Sequence, residues 1–168
     1  MAATDSQRLS VTAQGDREIV MSRVFKAPRT LVFDAWTKPE LFVRWFGPRG
    51  WSIPVCEMDL RVGGVYRYIM RGAEGAEVEM RGVYREVERP ARLVTSEAFV
   101  GFSEVGWRPE DVTVSTTILS EQDGQTTWTA TILYPSQDVR DAALRLEPAW
   151  AGVGASFDRL AELLPTLA

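Results

Sequence analysis

The chain has 168 residues, of which 45% are hydrophobic and 25% are charged, and its formal net charge at pH 7 is −4. A chain of this length forms one domain with a sizeable core, and its acidic balance and scattered arginines exclude the basic surface expected of a nucleic-acid-binding protein. No apolar run reaches the ~20 residues of a membrane span, and the single cysteine, Cys56, and the polar first residues favour a cytoplasmic location.

The complete absence of histidine restricts the chemistry of the chain. Ser-His-Asp and Cys-His catalysis, the usual zinc sites and a histidine proton shuttle are all excluded. Any reaction must use carboxylates, tyrosines, arginines or water, and we expect neither a metal ion nor a cofactor.

The first part of the chain divides into a leader and the start of a domain. Residues 1–16 are polar and lack periodicity, which predicts a flexible leader, and 17–168 are predicted to form a single domain. The segment REIVMSRVFKAP alternates Ile19 and Met21 with polar neighbours, which predicts a strand that ends before Pro28.

The segment PRTLVFDAWTKPELFVRWFG carries its apolar residues at helical spacing and predicts two short helices. Thr37 and Glu40 have the spacing of a capping box for the second helix. Gly47 and Pro48 then predict its end.

From Ile53 the chain is strand-like over about eighty residues and predicts an antiparallel meander of about six strands, with turns at RVGG, GAEG, ERPA and EQDGQ. Alternation assigns one set of side chains to the inward face. This set comprises Cys56, Met58, Leu60, Tyr66, Tyr68, Met70, Met80, Tyr84, Leu93, Thr95, Phe99, Val114, Thr116, Ile118, Trp128, Ala130, Ile132 and Tyr134.

The C-terminal segment is suited to cover that inward face. Apolar residues from Leu146 to Leu164 recur at steps of three and four, which predicts a helix of about four turns. Pro148 fits its first turn, so SQDVRDAALR is predicted to form a separate shorter helix. The predicted architecture is α+β, with a curved antiparallel sheet of about seven strands around one long helix.

Four segments resemble those of the SRPBCC superfamily, the START-like or Bet v-like helix-grip proteins: RVFKAPRTLVFDAWTKPELFVRWFGP, CEMDLRVGGVYRYIMRG, RGVYREVERPARLV and SFDRLAELL. Within it they are similar to the branch of the C-terminal domain of the heat-shock-protein ATPase activator. The resemblance covers about residues 17–164, and its most specific part is a W-x-G-P turn followed by D-L-R-x-G-G.

The resemblance implies a deep, largely apolar cavity between the sheet and the long helix, which the superfamily uses for lipids, polyketides, plant hormones and other hydrophobic small molecules. Two stretches depart from the branch pattern. LEPAWAG changes the entry to the last helix, and the long connection over residues 100–111 carries Phe102 and Trp107, which predicts a lid.

The predicted ligand-binding set combines inward-facing side chains of the sheet with residues of the helices and connections. For the turn WFGPRGW, residues 45–51, the resemblance implies that Trp45 and Phe46 point into the cavity. The whole set comprises Trp45, Phe46, Met58, Tyr66, Tyr68, Met80, Tyr84, Thr95, Phe99, Trp107, Trp128, Trp150 and Phe157. For each of them taken singly, the alternative is a place in a packed core.

The candidate catalytic residues are Glu97, Glu86 and Tyr68. Glu97 shares the parity of Leu93 and Thr95, so strict alternation points its carboxylate inward, where burial raises a pKa. The alternative is a bulge or strand end that turns Glu97 to solvent, and Glu86 has the same ambiguity.

Three functions stay open at this stage. The first is binding of a hydrophobic or aromatic small molecule in the cavity, and the second is an enzyme of the polyketide cyclase or hydratase kind. The third is a co-chaperone-like module that binds a protein. The sequence leaves open whether the chain is an enzyme and whether it forms a homodimer.

Overall fold

The structure, a computed structural model, describes residues 5–100 and 112–168. Its strands are β1 (Ser10–Gln14), β2 (Glu18–Phe25), β3 (Ser52–Met58), β4 (Val65–Arg71), β5 (Glu77–Glu88), β6 (Arg92–Val100), β7 (Thr113–Gln122) and β8 (Gln125–Leu133). Its α-helices are α1 (Arg29–Thr37), α2 (Pro39–Phe42), α3 (Gln137–Leu144) and α4 (Glu147–Leu163), and single 3₁₀ turns lie at Asp5–Gln7 and Leu164–Thr166.

The strands form one antiparallel sheet in the order β1-β2-β8-β7-β6-β5-β4-β3. Helix α4 covers one face of it, which we call the inner face, and buries Phe157 and Leu160 in the core. The predicted α+β helix-grip architecture is therefore confirmed. No helix within the described ranges is long and apolar enough to cross a membrane.

The sheet has eight strands where the sequence predicts about seven. The additional strand is β1, which lies inside the predicted flexible leader and pairs with β2 from Ser10 opposite Ser22 to Gln14 opposite Glu18. The chain reverses at Gly15, whose φ of +55° is open to glycine without strain. The leader interpretation is thus wrong for Ser10–Gln14, because backbone pairing orders a strand whose side chains are mostly polar.

The two short helices are confirmed, but the predicted capping box is not formed. The Thr37 hydroxyl is buried and donates a hydrogen bond to the Phe33 carbonyl at 2.8 Å, so it serves the end of α1. Lys38 occupies the N-cap of α2 and makes no side-chain cap there. The reason is geometric, because one intervening residue leaves Thr37 inside the first helix.

The C-terminal helices follow the prediction. Ser136 caps α3 by accepting from the Val139 amide at 3.2 Å, and Pro148 lies in the first turn of α4. Arg159 of α4 donates to the Gly47 carbonyl at 2.8 Å. Arg23 of β2 pairs with Asp158 at 2.7 Å, so both the WFGPRGW turn and the sheet are attached to α4.

Candidate functional site: the Tyr66–Glu97 pair on the inner face

One side of the inner face is a packed aromatic core. Trp36 stacks on Trp128 with ring centroids 5.4 Å apart, and Phe157 meets the Trp128 ring edge-on at 4.7 Å. Trp45 has no exposed surface, and its indole N–H donates to the Ala35 carbonyl at 3.0 Å. Of the predicted ligand-binding set, Trp45, Trp128 and Phe157 therefore pack in this core.

The other side of the inner face carries a carboxyl group. The Tyr66 hydroxyl donates to Oε1 of Glu97 at 2.5 Å, and the Thr95 hydroxyl donates to the same oxygen at 3.3 Å. Glu97 is half-buried on a strand near the middle of the sheet, and Tyr66 and Thr95 are buried. Strict alternation is thus followed at Glu97, and the alternative in which it turns to solvent is wrong.

The contact between Tyr66 and Glu97 depends on Gly82. The register places Tyr66 of β4 opposite Gly82 of β5, and Gly82 opposite Glu97 of β6. A Cβ at Gly82 would lie 2.1 Å from Cζ of Tyr66, so the tyrosine ring lies directly over the glycine. The missing side chain on β5 therefore lets Tyr66 reach across one strand to Glu97.

Four tyrosines, which are all that the chain has, are electrostatically coupled to this carboxyl group. Burial raises the pKa of Tyr66 and of Tyr68 well above the usual value, and the charge of Glu97 raises both further. Burial also raises the pKa of Tyr84 and of Tyr134. All four hydroxyls therefore stay protonated at neutral pH.

Burial raises the pKa of Glu97 itself, and the hydrogen bonds from Tyr66 and Thr95 offset only part of this effect. An acid with a raised pKa in the folded state binds its proton more tightly there than in the unfolded chain. Its contribution to stability is therefore present below the ordinary value of 4.5 and is lost as the pH rises through the folded pKa.

Replacing Glu97 with glutamine is expected to stabilise the protein at pH 7–8. The change removes the cost of a buried carboxylate, and the melting temperature should rise by about 2–4 °C, the shift that 1 kcal/mol gives in a chain of this size. The gain should vanish near pH 4, where Glu97 is protonated in both states. Melting curves of both proteins between pH 4 and pH 8 measure it, with Glu88→Gln as the control for loss of one exposed charge. An increase in melting temperature that is equal at every pH would contradict the raised pKa of Glu97.

Strands β6 and β7 add a polar strip to the inner face beside Glu97. Leu119 of β7 is buried in the core and fixes the inward parity of its strand, while Val114 and Ile118 are exposed on the outer face. The polar strip comprises Thr95, Glu97, Thr113, Ser115 and Thr117.

The predicted inward residues of β7, Val114, Thr116 and Ile118, therefore lie on the outer face, and the prediction for this strand is wrong. Alternation could not distinguish the two faces, because both carry a mixture of apolar and hydroxyl side chains. Glu97 pairs with Thr113 in register, and Thr95 pairs with Ser115. Glu97, Ser115 and Thr117 are only half-buried although they lie on inner strands, so this part of the inner face is accessible.

Several other predicted residues join the Tyr66–Glu97 pair. Met58 lies opposite Tyr66, and Met80 lies opposite Tyr68. The Phe46 ring is 5.2 Å from that of Tyr68, which links the turn after α2 to the same wall. Cys56 also faces this wall, and burial and the Glu57 charge raise the pKa of its thiol to about 11, which keeps it unreactive.

Other predicted residues lie apart from this group or outside the described residues. Glu86 is exposed and accepts from Arg92 at 2.9 Å, so this candidate catalytic residue is not on the inner face. Trp150 is half-buried and donates to the Ala143 carbonyl at 2.9 Å, which joins α4 to α3. Trp107 and the predicted lid lie outside the described residues, as does the Phe99 side chain.

A small cleft opens at the end of the polar strip. It lies between α1 and strands β6 and β7, has a volume of about 20 Å³, and is lined by Phe33, Trp36, Arg92, Leu93, Thr117 and Leu119. This volume holds about one water molecule, so the cleft alone does not hold an aromatic ligand. The described residues contain no cluster of three or more Cys, Asp and Glu side chains suited to a metal ion.

The family model that matches the chain, over residues 26–165, is that of activator of Hsp90 ATPase homolog 1-like proteins. No protein of curated function matches the chain.

Several solved structures are similar over nearly the whole chain. A protein from Rhodobacter sphaeroides has a TM-score of 0.83 at 24% identity, with 95% of this chain and 99% of that chain covered. A protein from Nitrosomonas europaea has a TM-score of 0.76 at 28% identity, with 94% and 99% covered. A protein named AHSA1 from Silicibacter pomeroyi has a TM-score of 0.71 at 19% identity, with 90% and 99% covered.

Proposed function

This chain belongs to the family of activator of Hsp90 ATPase homolog 1-like proteins, and from that membership we propose that it binds a small molecule with a hydrophobic or aromatic body on the inner face of its sheet. One observation carries the proposal. Glu97, Ser115 and Thr117 stay half-buried on the inner face of strands β6 and β7, where a fully packed core would bury them. A ligand that covers these side chains would complete the interior.

The surroundings have the composition of a small-molecule site. Aromatic and thioether side chains from β4 and β5 form an apolar wall, and a few polar groups on β6 and β7 stand beside it. Ligand pockets combine a mostly apolar lining with a small number of placed polar groups. The wall gives affinity for an aromatic body, and Glu97 gives the polar contact that orients it.

A space-filling substitution tests this location. Ser115→Phe places a ring on the accessible part of the inner face, whereas Thr116→Phe places the same ring on the outer face of the same strand. Fluorescence titration with N-phenylnaphthylamine, an uncharged aromatic dye, is expected to show binding to the wild type and to Thr116→Phe. Binding to Ser115→Phe should be at least about tenfold weaker, a loss of about 1.4 kcal/mol.

Melting curves of both variants check that each is folded at the titration temperature. The proposal is overturned if the wild type binds no dye, or if Ser115→Phe binds it as tightly as Thr116→Phe does.

A second candidate function is proton transfer to a bound substrate. The observation that favours it is the raised pKa of Glu97 together with its hydrogen bond from Tyr66, because burial that brings the pKa of a carboxyl group closer to the working pH suits it to proton transfer. This enzyme would be of the cyclase or hydratase kind. Turnover that Glu97→Gln abolishes while dye binding persists would support it over simple binding.

A co-chaperone-like role ranks behind these two. The large apolar side chains exposed among the described residues are divided among the end of α2, the β3–β4 turn and strand β7, as Val43, Val62 and Ile118 illustrate. Protein-binding surfaces usually gather such side chains into one patch. A cytoplasmic location and a homodimer remain predictions.

A further inference from the structure

We propose that the ligand of the inner face is a cation, an amine or quaternary ammonium group on an apolar body, whose charge meets Glu97. The inference rests on the proposed function, because it concerns the same site and adds the chemical class of the ligand. Its first support is the hydrogen bonding of the carboxyl group. Both bonds, from Tyr66 and from Thr95, go to Oε1, and Oε2 has no hydrogen-bond partner among the described residues.

The second support is that neighbouring arginines pair elsewhere. Arg85 donates to the Ser96 hydroxyl at 3.0 Å on the outer face, and Arg81 interacts with Glu79 on that face at 3.3 Å. Arg92, at the start of β6, pairs with Glu86 at 2.9 Å. Within the described ranges, no ion pair includes Glu97. Among the described residues Glu97 is therefore a half-buried carboxylate without a counter-charge, and a cationic ligand would supply that charge.

The third support is the aromatic surroundings of the carboxyl group. The Tyr66 and Tyr84 rings lie 5.0 Å apart, and the Tyr66 and Tyr68 rings stack at 6.5 Å. Aromatic faces attract ammonium groups through their quadrupole, and the attraction grows where water is excluded. Tyrosine rings beside a carboxylate that has no ion-pair partner in the described part of the chain thus form a combination that recognises an organic cation.

Other ligand charges satisfy these groups less well. A carboxylate ligand would meet a like charge at Glu97 in a site with low dielectric. A neutral alcohol or ketone would accept or donate one hydrogen bond but would leave the buried charge uncompensated. The hydroxyls of Thr113 and Ser115, next to Glu97 and Thr95 in register, add acceptors for the N–H groups of an amine.

A matched series of naphthalene ligands tests the charge preference. Naphthylmethylamine, naphthylmethanol and naphthoate share one aromatic body and carry charges of +1, 0 and −1 at pH 7.5. Isothermal titration calorimetry on the wild type is expected to give about 10- to 100-fold tighter binding of the amine than of the alcohol, the range of a charge-assisted hydrogen bond. Naphthoate is expected to bind most weakly.

Two carboxylate variants locate the preference. Glu97→Gln should reduce the affinity for the amine to that for the alcohol and leave the alcohol unchanged. Glu86→Gln, which removes an exposed carboxylate from β5, should leave the whole series unchanged.

Equal affinities of amine and alcohol in the wild type, tighter binding of naphthoate, or an amine preference that survives Glu97→Gln would each overturn the inference and leave the proposed function standing. Failure of all three ligands to bind the folded wild type would overturn the proposed function itself, and the inference with it.

Discussion

Substituting alanine for Gly82 is expected to destabilise the fold by about 1–3 kcal/mol and to separate Tyr66 from Glu97. The added Cβ would lie 2.1 Å from Cζ and 2.3 Å from the hydroxyl oxygen of Tyr66, far inside van der Waals contact. The tyrosine ring must therefore leave its place over β5, and Oε1 of Glu97 loses its short hydrogen bond. Urea unfolding measures the loss of stability, and titration with naphthylmethylamine measures the effect on the site.

Two further variants separate the causes. Gly154→Ala, in α4, adds a methyl group where no atom lies within 4 Å, so it should cost nothing and increase stability by up to about 1 kcal/mol. Tyr66→Phe keeps the ring and removes only the hydroxyl, so it reports the hydrogen bond to Glu97 alone. If Gly82→Ala unfolds at the same urea midpoint as the wild type and binds the amine unchanged, the position of the Tyr66 ring does not depend on this glycine.

The inner face divides core packing from the proposed ligand binding between two groups of strands. On β2 and β8 it is filled by Phe25 and Trp128, which pack against Phe157 of α4. On β6 and β7 it carries Glu97 and Ser115, which gain little from packing. The expected stabilisation by Glu97→Gln agrees with this division, because a group that binds the proposed ligand would be retained at a cost to the free protein.

Elements with one clear periodicity could be predicted from the sequence. The stripe from Leu146 to Leu164 specifies α4 because steps of three and four place the large apolar residues of the stripe on one helix face. Tyr66 and Tyr68 are assigned inward correctly because Arg67 between them requires solvent. The inward direction of Glu97 also follows from parity alone, as its strand has no bulge between Leu93 and Glu97.

Other features depend on contacts that periodicity does not contain. Strand β7 presents Val114 and Ile118 outward, since Leu119 must meet Trp128 on the inner face and all other side chains of the strand follow. Backbone pairing with β2 orders Ser10–Gln14, and the polar side chains of this segment give no sequence pattern that would predict a strand. The role of Gly82 could not be predicted, because only the register reveals that Tyr66 crosses it.

Truncation of Trp45 to alanine is expected to cost about 3–5 kcal/mol of folding free energy. Its ring has no exposed surface and lies 4.7 Å from the Trp36 ring and 5.6 Å from that of Phe42. The change opens a cavity between α1 and α2 and also leaves the buried Ala35 carbonyl without the indole N–H. Urea denaturation followed by circular dichroism gives the free energy of unfolding.

Trp51→Ala is the matched control, because both tryptophans belong to the WFGPRGW turn. Trp51 is half-buried and rests against Gly72, whose Cβ would lie 3.1 Å from the indole ring. Its removal exposes less apolar surface and opens no closed cavity, so it should cost less than half as much as Trp45→Ala. Similar losses for the two variants would contradict a core role for Trp45. A small loss at Trp45 with loss of dye binding would instead place its ring in the ligand site, as the resemblance implies for this turn.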